Sequence, residues 1–393
     1  MQIAIGHINF NDLDPSLKHL SNEQIYEVIT KYYDDEKVNN ILNDYKILIT
    51  PSKLVKVFPS VFLKAHCEKC NSQLHGELQS KSSVHMIRTK PSCPYCFHKA
   101  NSRFCDCYFC EQERIELEEE KREIVDAIFI NLDVPVVSEN DLSLEDRFYM
   151  SIILRAALSE DMKIIGPLNE ISRKIAPTNQ LIKEIINTLT ARNLILISEH
   201  SSLDAFVLEI DEEGNRDVSY HGYQVAYKIN VISGDGNYYL MIQRLLYPDP
   251  ESFDVEFCYE KWRQIALNEI EEYLLFEMNK VGYSFNLGKK SYQVFDYLLN
   301  HFSTAQIFNI IYRAVANSTR RYQAKEITKI HAQNSVITSC ESQGHRAIAE
   351  KWTLKPYRRN FALPESIFSE VLFNSIMQIS SLGFTEVPRI HFR

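Results

Sequence analysis

Cys67-Glu-Lys-Cys70 and Cys93-Pro-Tyr-Cys96, followed by Cys105-Asp-Cys107-Tyr-Phe-Cys110, hold seven of the nine cysteines of this chain. Met1 to Asn11 carries no basic charge ahead of an apolar stretch, so it does not read as a secretory signal. The chain is therefore expected in the cytoplasm, where thiols stay reduced and a clustered set reads as metal ligation before disulfides. The two C-x2-C knuckles stand 22 residues apart, a spacing that lets two tight turns bring four thiolates onto one tetrahedral Zn2+. Cys67, Cys70, Cys93 and Cys96 are expected to form a closed structural site with no vacancy for a substrate. Cys105, Cys107 and Cys110 lack one ligand. His98 is the nearest candidate to complete a Cys3His set, with His66, His75 and His85 as alternatives, so one zinc is expected and a second, or a shared two-metal cluster, stays open. The C-x-C-x2-C run does not match ferredoxin spacings, which disfavours an iron–sulfur cluster.

Between the knuckles, Ser80 to Ser83 is a polar turn and Val84-His-Met-Ile-Arg88 alternates as a strand does. A four-thiolate site framing a turn and a strand resembles a zinc ribbon. Paired knuckles also frame nucleases of the HNH type, but Asn71 to Ser92 offers only His75 and His85 and little room for that catalytic run.

Upstream, Ser21-Asn-Glu-Gln24 has capping-box spacing before Ile25, Val28, Ile29 and Tyr32. Val38, Ile41, Leu42 and Tyr45 follow, and Thr50-Pro51-Ser52 opens a third helix over Lys53 to Phe58. Three helices with tight turns resemble the helix-turn-helix of recombinase and transposase DNA-binding domains, and the resemblance makes the short third helix the reader. Charge points the same way. Residues 1–50 carry four basic and eight acidic side chains, whereas residues 51–100 carry eight basic and two acidic, a net +6 inside a chain whose total is −9. Lys53, Lys56, Lys64, Lys81, Arg88 and Lys90 are the candidate phosphate contacts.

Downstream, Glu111 to Glu123 is an acidic helix and Asp133 to Asp141 a linker. From Leu142, a helix over Leu144–Leu158, a short strand over 162–165, helices over Leu168–Ile175 and Pro177–Ala191, and strands over Leu194–Ile197 and Ala205–Leu208 resemble a winged helix, which implies either DNA contact or docking onto protein. Ser233-Gly-Asp-Gly-Asn237 reads as a hairpin turn between Tyr223–Ile232 and Tyr238–Ile242. Beyond Pro250 the chain reads as helices over Tyr259–Lys280, Tyr292–Leu299, Thr304–Ala324 and Glu365–Ser380. Residues 310–359 hold ten basic and three acidic side chains, interleaved with Tyr312, Tyr322, Trp352 and Tyr357. Rings beside Arg313, Arg320, Arg321, Lys325, Arg358 and Arg359 are what nucleic-acid strands use for stacking.

The expected architecture is mainly α with small β elements in several domains: a helix-turn-helix (1–65), a zinc ribbon (66–110), an acidic helix and linker (111–141), a winged helix with hairpin (142–250) and a helical C-terminal domain (251–393). With 45% apolar and 24% charged residues, disorder and fibre are excluded, and no run is long enough for a membrane span. Enzyme motifs are sparse. The 11 glycines disfavour phosphate loops, and Gly282 to Ser291 has the wrong glycine spacing for one. His331, His345, Glu341, Glu350 and Arg346 are the residues able to make an acid–base site, but an enzyme is the weaker reading. The sequence therefore points to a zinc-stabilised nucleic-acid-binding protein of bacterial type, with DNA as the favoured partner. Such a protein would be a regulator or part of a mobile-element or phage-defence system. The alternatives are an adaptor subunit using the same modules for protein contacts, and a nucleic-acid-processing enzyme.

Overall fold

Ser21 and Gln24 close the capping box that their spacing predicts. The Ser21 hydroxyl accepts the Gln24 amide at 3.3 Å and the Gln24 side chain accepts the Ser21 amide at 2.9 Å, starting α1 (Asn22–Tyr33) and turning Ile25, Val28, Ile29 and Tyr32 inward. The structure is a computed structural model that describes residues 4–390 apart from 91, 101, 103, 131–132 and 211–215, with only the backbone of 210, 216 and 217. It divides into two compact units, Met1–Lys121 and Arg122–Arg393. The fold is mainly helical with small sheets. Among the described residues, no helix is long and apolar enough to cross a membrane.

In the first unit α2 (Val38–Asp44) follows α1. The third expected helix is instead a 3-10 turn, Pro51–Val57. Thr50 makes no side-chain cap there, and Pro59 forces Phe58 into an extended conformation that ends the turn. Next, β1 (Val61–His66), β2 (Gln73–Leu78) and β3 (Ile87–Thr89) form an antiparallel sheet in that order. The strand expected from Val84 starts only at Ile87, because the serine turn runs on and leaves Val84 and His85 exposed. Gly76 of β2 admits the neighbouring strand: a Cβ there would lie 2.4 Å from Ile87 Cγ2. Ile25, Ile29, Ile41, Leu54 and Val61 anchor the core of this unit. Helix α3 (Tyr108–Val125) runs across the division at residue 121.

The second unit contains, in order, β4 (Val137–Ser138), α4 (Leu144–Ala157), β5 (Ile164–Ile165), α5 (Asn179–Ala191), β6 (Ile195–Ile197), β7 (Phe206–Ile210), β8 (Arg216–Tyr220), β9 (Tyr227–Ile229), β10 (Val231–Ile232) and α6 (Tyr238–Leu246). The segment expected to be a linker is packed structure. There β4 pairs in parallel with β10, and the buried Glu139 is gripped by Arg244 at 2.6 and 2.7 Å. The two expected wing strands do not pair with each other. Instead β5, β9 and β6 form one sheet in that order, and β7 pairs with β8 as a separate hairpin. The helix expected over Leu168–Ile175 shrinks to a 3-10 turn, Leu168–Glu170. The carbonyls of Lys174 and Ile175 instead accept amides from Ile367 and Phe368, 2.8 and 2.9 Å away, a tertiary pairing that overrides local preference. The expected hairpin at Ser233–Asn237 is a helix start, because Asn237 caps α6 by accepting the Leu240 amide at 3.1 Å.

Beyond Pro250 lie α7 (Val255–Lys280), α8 (Lys289–Leu298), α9 (Thr304–Gln323), α10 (Lys329–Ala349), α11 (Ile367–Glu370) and α12 (Leu382–Thr385). Helix α10 escaped the sequence reading because its inward face uses Ala332, Cys340, Gly344 and Ala347 beside only Val336 and Ile337, a faint apolar stripe. The long helix expected over Glu365–Ser380 is a short α11 continued by a π-helical turn, Val371–Ile376. Two cores result. One joins α4, α5, α6 and the small sheets to Trp262 and Ile265 of α7 and to Ile367–Ile376. The other joins the rest of α7 to α8, α9 and α10, with Tyr273 and Phe308 stacked at 3.9 Å. The expected boundary at 250/251 therefore falls just ahead of a helix that belongs to both cores.

Candidate metal centres and basic surfaces

Both knuckles fold alike. The Asn71 amide bonds to the Cys67 carbonyl at 2.9 Å and the Cys67 amide to Ser72 O at 2.8 Å; in the second knuckle, Phe97 bonds to Cys93 O at 3.1 Å and Cys93 to His98 O at 2.8 Å. Each turn is closed by a left-handed residue, Asn71 (φ 55°) and Phe97 (φ 61°). Asparagine tolerates that conformation, whereas a phenylalanine there is unusual. The turns bring Cys67 Sγ within 3.6 Å of Cys96 Sγ and Cys70 Sγ within 3.6 Å of Cys93 Sγ, and all four sulfurs lie within 4.8 Å of one another. Zn–S bonds near 2.3 Å in a tetrahedron require S···S edges of about 3.8 Å, so the donor set fits the ion.

The second group is His98, Cys105, Cys107 and Cys110, again within 4.8 Å of one another. His98 Nδ1 stands 3.5 Å from Cys105 Sγ, 3.7 Å from Cys107 Sγ and 3.2 Å from Cys110 Sγ. Of the histidines considered, His98 is the one in the set. His66 and His85 are exposed on the surface. His75 is buried, with Nδ1 3.2 Å from Ser60 Oγ and its ring against Phe62 and Tyr95. The two groups are coupled: the residue that contributes Nδ1 to the second closes the knuckle of the first through its carbonyl. The start of α3 supplies Cys110, and Arg114 Nη1 ties it back to Cys105 O at 2.8 Å. Lys69 of the first knuckle meets Glu113 at 2.6 Å.

Hydrogen bonds already favour thiolate at two positions. The Ser72 side chain beside Cys70 lowers its thiol to about 6, and the Lys99 amide, 3.2 Å from Cys105 Sγ, lowers that thiol to about 6. Burial pushes Cys96 and Cys110 the other way, Cys110 to about 11. A metal would have to displace those protons, so uptake is acid-sensitive. Neither group resembles a catalytic centre with an open position.

The six candidate cations of the first unit do not form one patch. Lys56, Arg88 and Lys90 line a single open groove, together with Ser60, Gln79, Ser80 and Ser83 and the acidic Asp12, Asp14 and Glu77. Lys53 lies in a separate depression beside Asn39 and Asn43. Lys64 is exposed on β1. Lys81 is engaged with Asp35 at 2.7 Å and covers the Tyr32 ring. In the second unit Arg313, Arg320 and Arg358 are exposed, as is Lys325 just past α9. Arg321 pairs with Glu326 at 3.3 Å. Arg359 is a structural residue: it meets the buried Glu269 at 2.7 Å and lies 4.4 Å over the Phe384 ring. The acid–base set does not converge as a whole, although Glu341 and His345 line one depression with Lys290 and Tyr297. His331 and His345 stand 14 residues apart on one helix, roughly 21 Å at 1.5 Å per residue. Glu341 pairs with Lys290 at 3.0 Å and Arg346 with Glu350 at 3.7 Å.

The surface feature that the sequence reading missed is aromatic: Tyr95, Phe97, Phe104 and Tyr108, each more than half exposed, crowd the metal-ligand segment. Their signal was present, since each lies within three residues of a cysteine ligand. The chain matches no protein-family model, no curated protein and no solved structure, so its function has to be argued from these sites alone.

Proposed function

We propose that this chain is a zinc-stabilised nucleic-acid-binding protein, with DNA as its ligand and both cysteine groups filled by structural Zn2+. The observation that carries the reading is the convergence of Lys56, Arg88 and Lys90, from two stretches of sequence, on one groove of the unit built around the metal groups. In this reading the zinc ions rigidify a ribbon formed by β1, β2 and β3. The groove replaces the short 3-10 turn as the main contact, since seven residues at about 2.0 Å rise span roughly 14 Å. Asp12, Asp14 and Glu77 on the same groove limit its net attraction, so affinity is modest and salt-sensitive.

The winged-helix reading of the second unit draws support from the strand order β5-β9-β6 behind α4 and α5, with the β7–β8 hairpin as an elaborated wing. Asn179, Gln180, Lys183 and Asn187 lie exposed on α5. Salt-titrated binding of the full chain to duplex DNA, single-stranded DNA and RNA tests the proposal. Replacing Lys56, Arg88 and Lys90 by alanine should flatten the log affinity against log salt slope by about 3 on duplex DNA. Absence of binding to all three at low salt sinks it. The exposed rings of Phe97 and Phe104 favour one second reading, an adaptor that docks onto protein through its metal-binding segment. In that case changing both rings to serine abolishes partner capture while metal content is kept.

A further inference from the structure

We infer that the exposed face of α9 and the segment following α10 form a stacking platform for unpaired bases, so that the second unit takes single-stranded nucleic acid. This rests on the nucleic-acid reading above and gives it a substrate class. Residues 353–360 have no regular secondary structure, yet they are strapped to α9. Gln306 Nε2 donates to Leu354 O at 3.2 Å, Asn309 Nδ2 to Lys355 O at 2.9 Å, and the Tyr357 amide to Ala305 O at 2.9 Å. The strap holds Tyr357 at 5.8 Å from Tyr312 with the rings inclined by 58°, and it lies beside Arg313, whose guanidinium is 5.6 Å from the Trp352 ring. Tyr312 is 45% exposed.

Charge selects the occupant. Arg313, Asn317 and Arg320 follow one another at spacings of four and three, so they share a face of α9; all three are exposed, and Arg358 extends the set from the strap. Most neighbouring acids are already engaged, although Glu365, which lines one depression with Tyr357 and Arg358, forms no ion pair among the described residues. Glu326 is held by Arg321, Glu350 by Trp352 Nε1 at 2.7 Å and by Arg346, and Glu277 by Lys280 at 3.1 Å. Among the described residues, Arg313, Arg320 and Arg358 form no ion pair with a carboxylate. Cations that outnumber the free carboxylates beside exposed rings match a polyanion whose bases are free to stack, and every base has a π-face. A duplex hides those faces inside its own stack.

The molecule carries its own probe. Of the two tryptophans, Trp262 is fully buried with Nε1 bonded to Gly383 O at 2.8 Å, whereas Trp352 is half-buried at the platform. The full chain is titrated with oligodeoxythymidylate, with oligouridylate and with a duplex, each of about 20 nucleotides, following tryptophan emission and, in parallel, the anisotropy of labelled strands. Single strands should change the emission, and Trp352→Phe should abolish the change. Tyr312→Ala with Tyr357→Ala should weaken single-strand binding about tenfold or more and duplex binding less than about twofold. Tyr312→Phe with Tyr357→Phe, which keeps the rings, should bind as the parent does. Anisotropy that reports binding without any change in emission, or a double alanine variant of full affinity, overturns the platform and leaves the broader reading standing. No binding of any probe at about 50 mM salt removes both, and capture of polyglutamate instead would assign the face to an acidic protein partner.

Discussion

Arg359→Ala should destabilise the second unit far more than it affects nucleic-acid binding. Glu269 is buried, with its carboxylate 2.7 Å from the Arg359 guanidinium and 2.9 Å from Ser369 Oγ, and its side chain is only 4% exposed. Removing the cation strands a charge away from water, and breaking a buried pair from one side costs about 3–5 kcal/mol. The lost contact with the Phe384 ring adds to that. The unit holds roughly 270 residues, so an unfolding entropy near 2.1 cal/mol/K per residue converts this cost to a fall in Tm of about 5–9 °C. Differential scanning calorimetry of the full chain reads the shift. The pair Glu269→Gln with Arg359→Met should recover most of it, because replacing both partners leaves no unpaired charge. A single Arg359→Ala variant within about 1 kcal/mol of the parent would refute the burial argument, as would one of unchanged Tm that lost nucleic-acid affinity.

The same geometry sets three further outcomes. Protein purified without chelator should carry two zinc ions per chain; Cys93→Ser should lose the first and unfold the ribbon, since such ions contribute on the order of 10 kcal/mol or more, while His98→Ala should empty the second. Metal analysis and limited proteolysis read both, and a metal-free chain that keeps its protease resistance defeats the assignment. Arg244 and burial act oppositely on Glu139, and Arg244 prevails, holding the carboxyl below its ordinary 4.5. Its stabilisation is therefore complete above about pH 4.5 and lost as pH falls through the lower folded value. The stability gap between parent and Arg244→Met should thus narrow in acid, and a gap that widens there contradicts the sign. Gly344→Ala places a Cβ 2.3 Å from Leu298 Cδ2, so overpacking of about 1–3 kcal/mol should outweigh the gain of about 1 kcal/mol in helix propensity, and a raised Tm would contradict it.

What could be read from the sequence was what short-range spacing dictates. The knuckles, the Ser21 capping box and the apolar stripe of α1 are each decided within a few residues, and each folds as its pattern requires. The fourth ligand of the second cysteine group was also accessible, because His98 lies close to Cys105 in the chain. Three of the failures involve distant partners. Leu168–Ile175 gives up its helix to segments nearly 200 residues later, Asp133–Asp141 packs through the two-residue strand β4 and Glu139 because β10 and Arg244 receive them, and Ser233–Asn237 turns into a helix cap because α6 packs on α4. Counting basic residues located the charged regions but not their partners: Arg359 and Arg358 are adjacent in sequence, yet one is bound to a buried carboxylate and the other is exposed.

The return of Ile367–Ile376 to the core built around α4 has a consequence for synthesis. As the chain leaves the ribosome, α4, α5 and α6 emerge first, but the residues that seal them arrive more than a hundred positions later, and Trp262 likewise waits 121 positions for the Gly383 carbonyl. The second unit therefore cannot mature in step with translation. It must hold an open apolar surface until residues 367–383 are made, whereas the first unit has all its candidate metal ligands by residue 110. A release that comes early, through truncation or stalling, would leave a finished first unit attached to an exposed half-core, the kind of surface that chaperones and proteases recognise first.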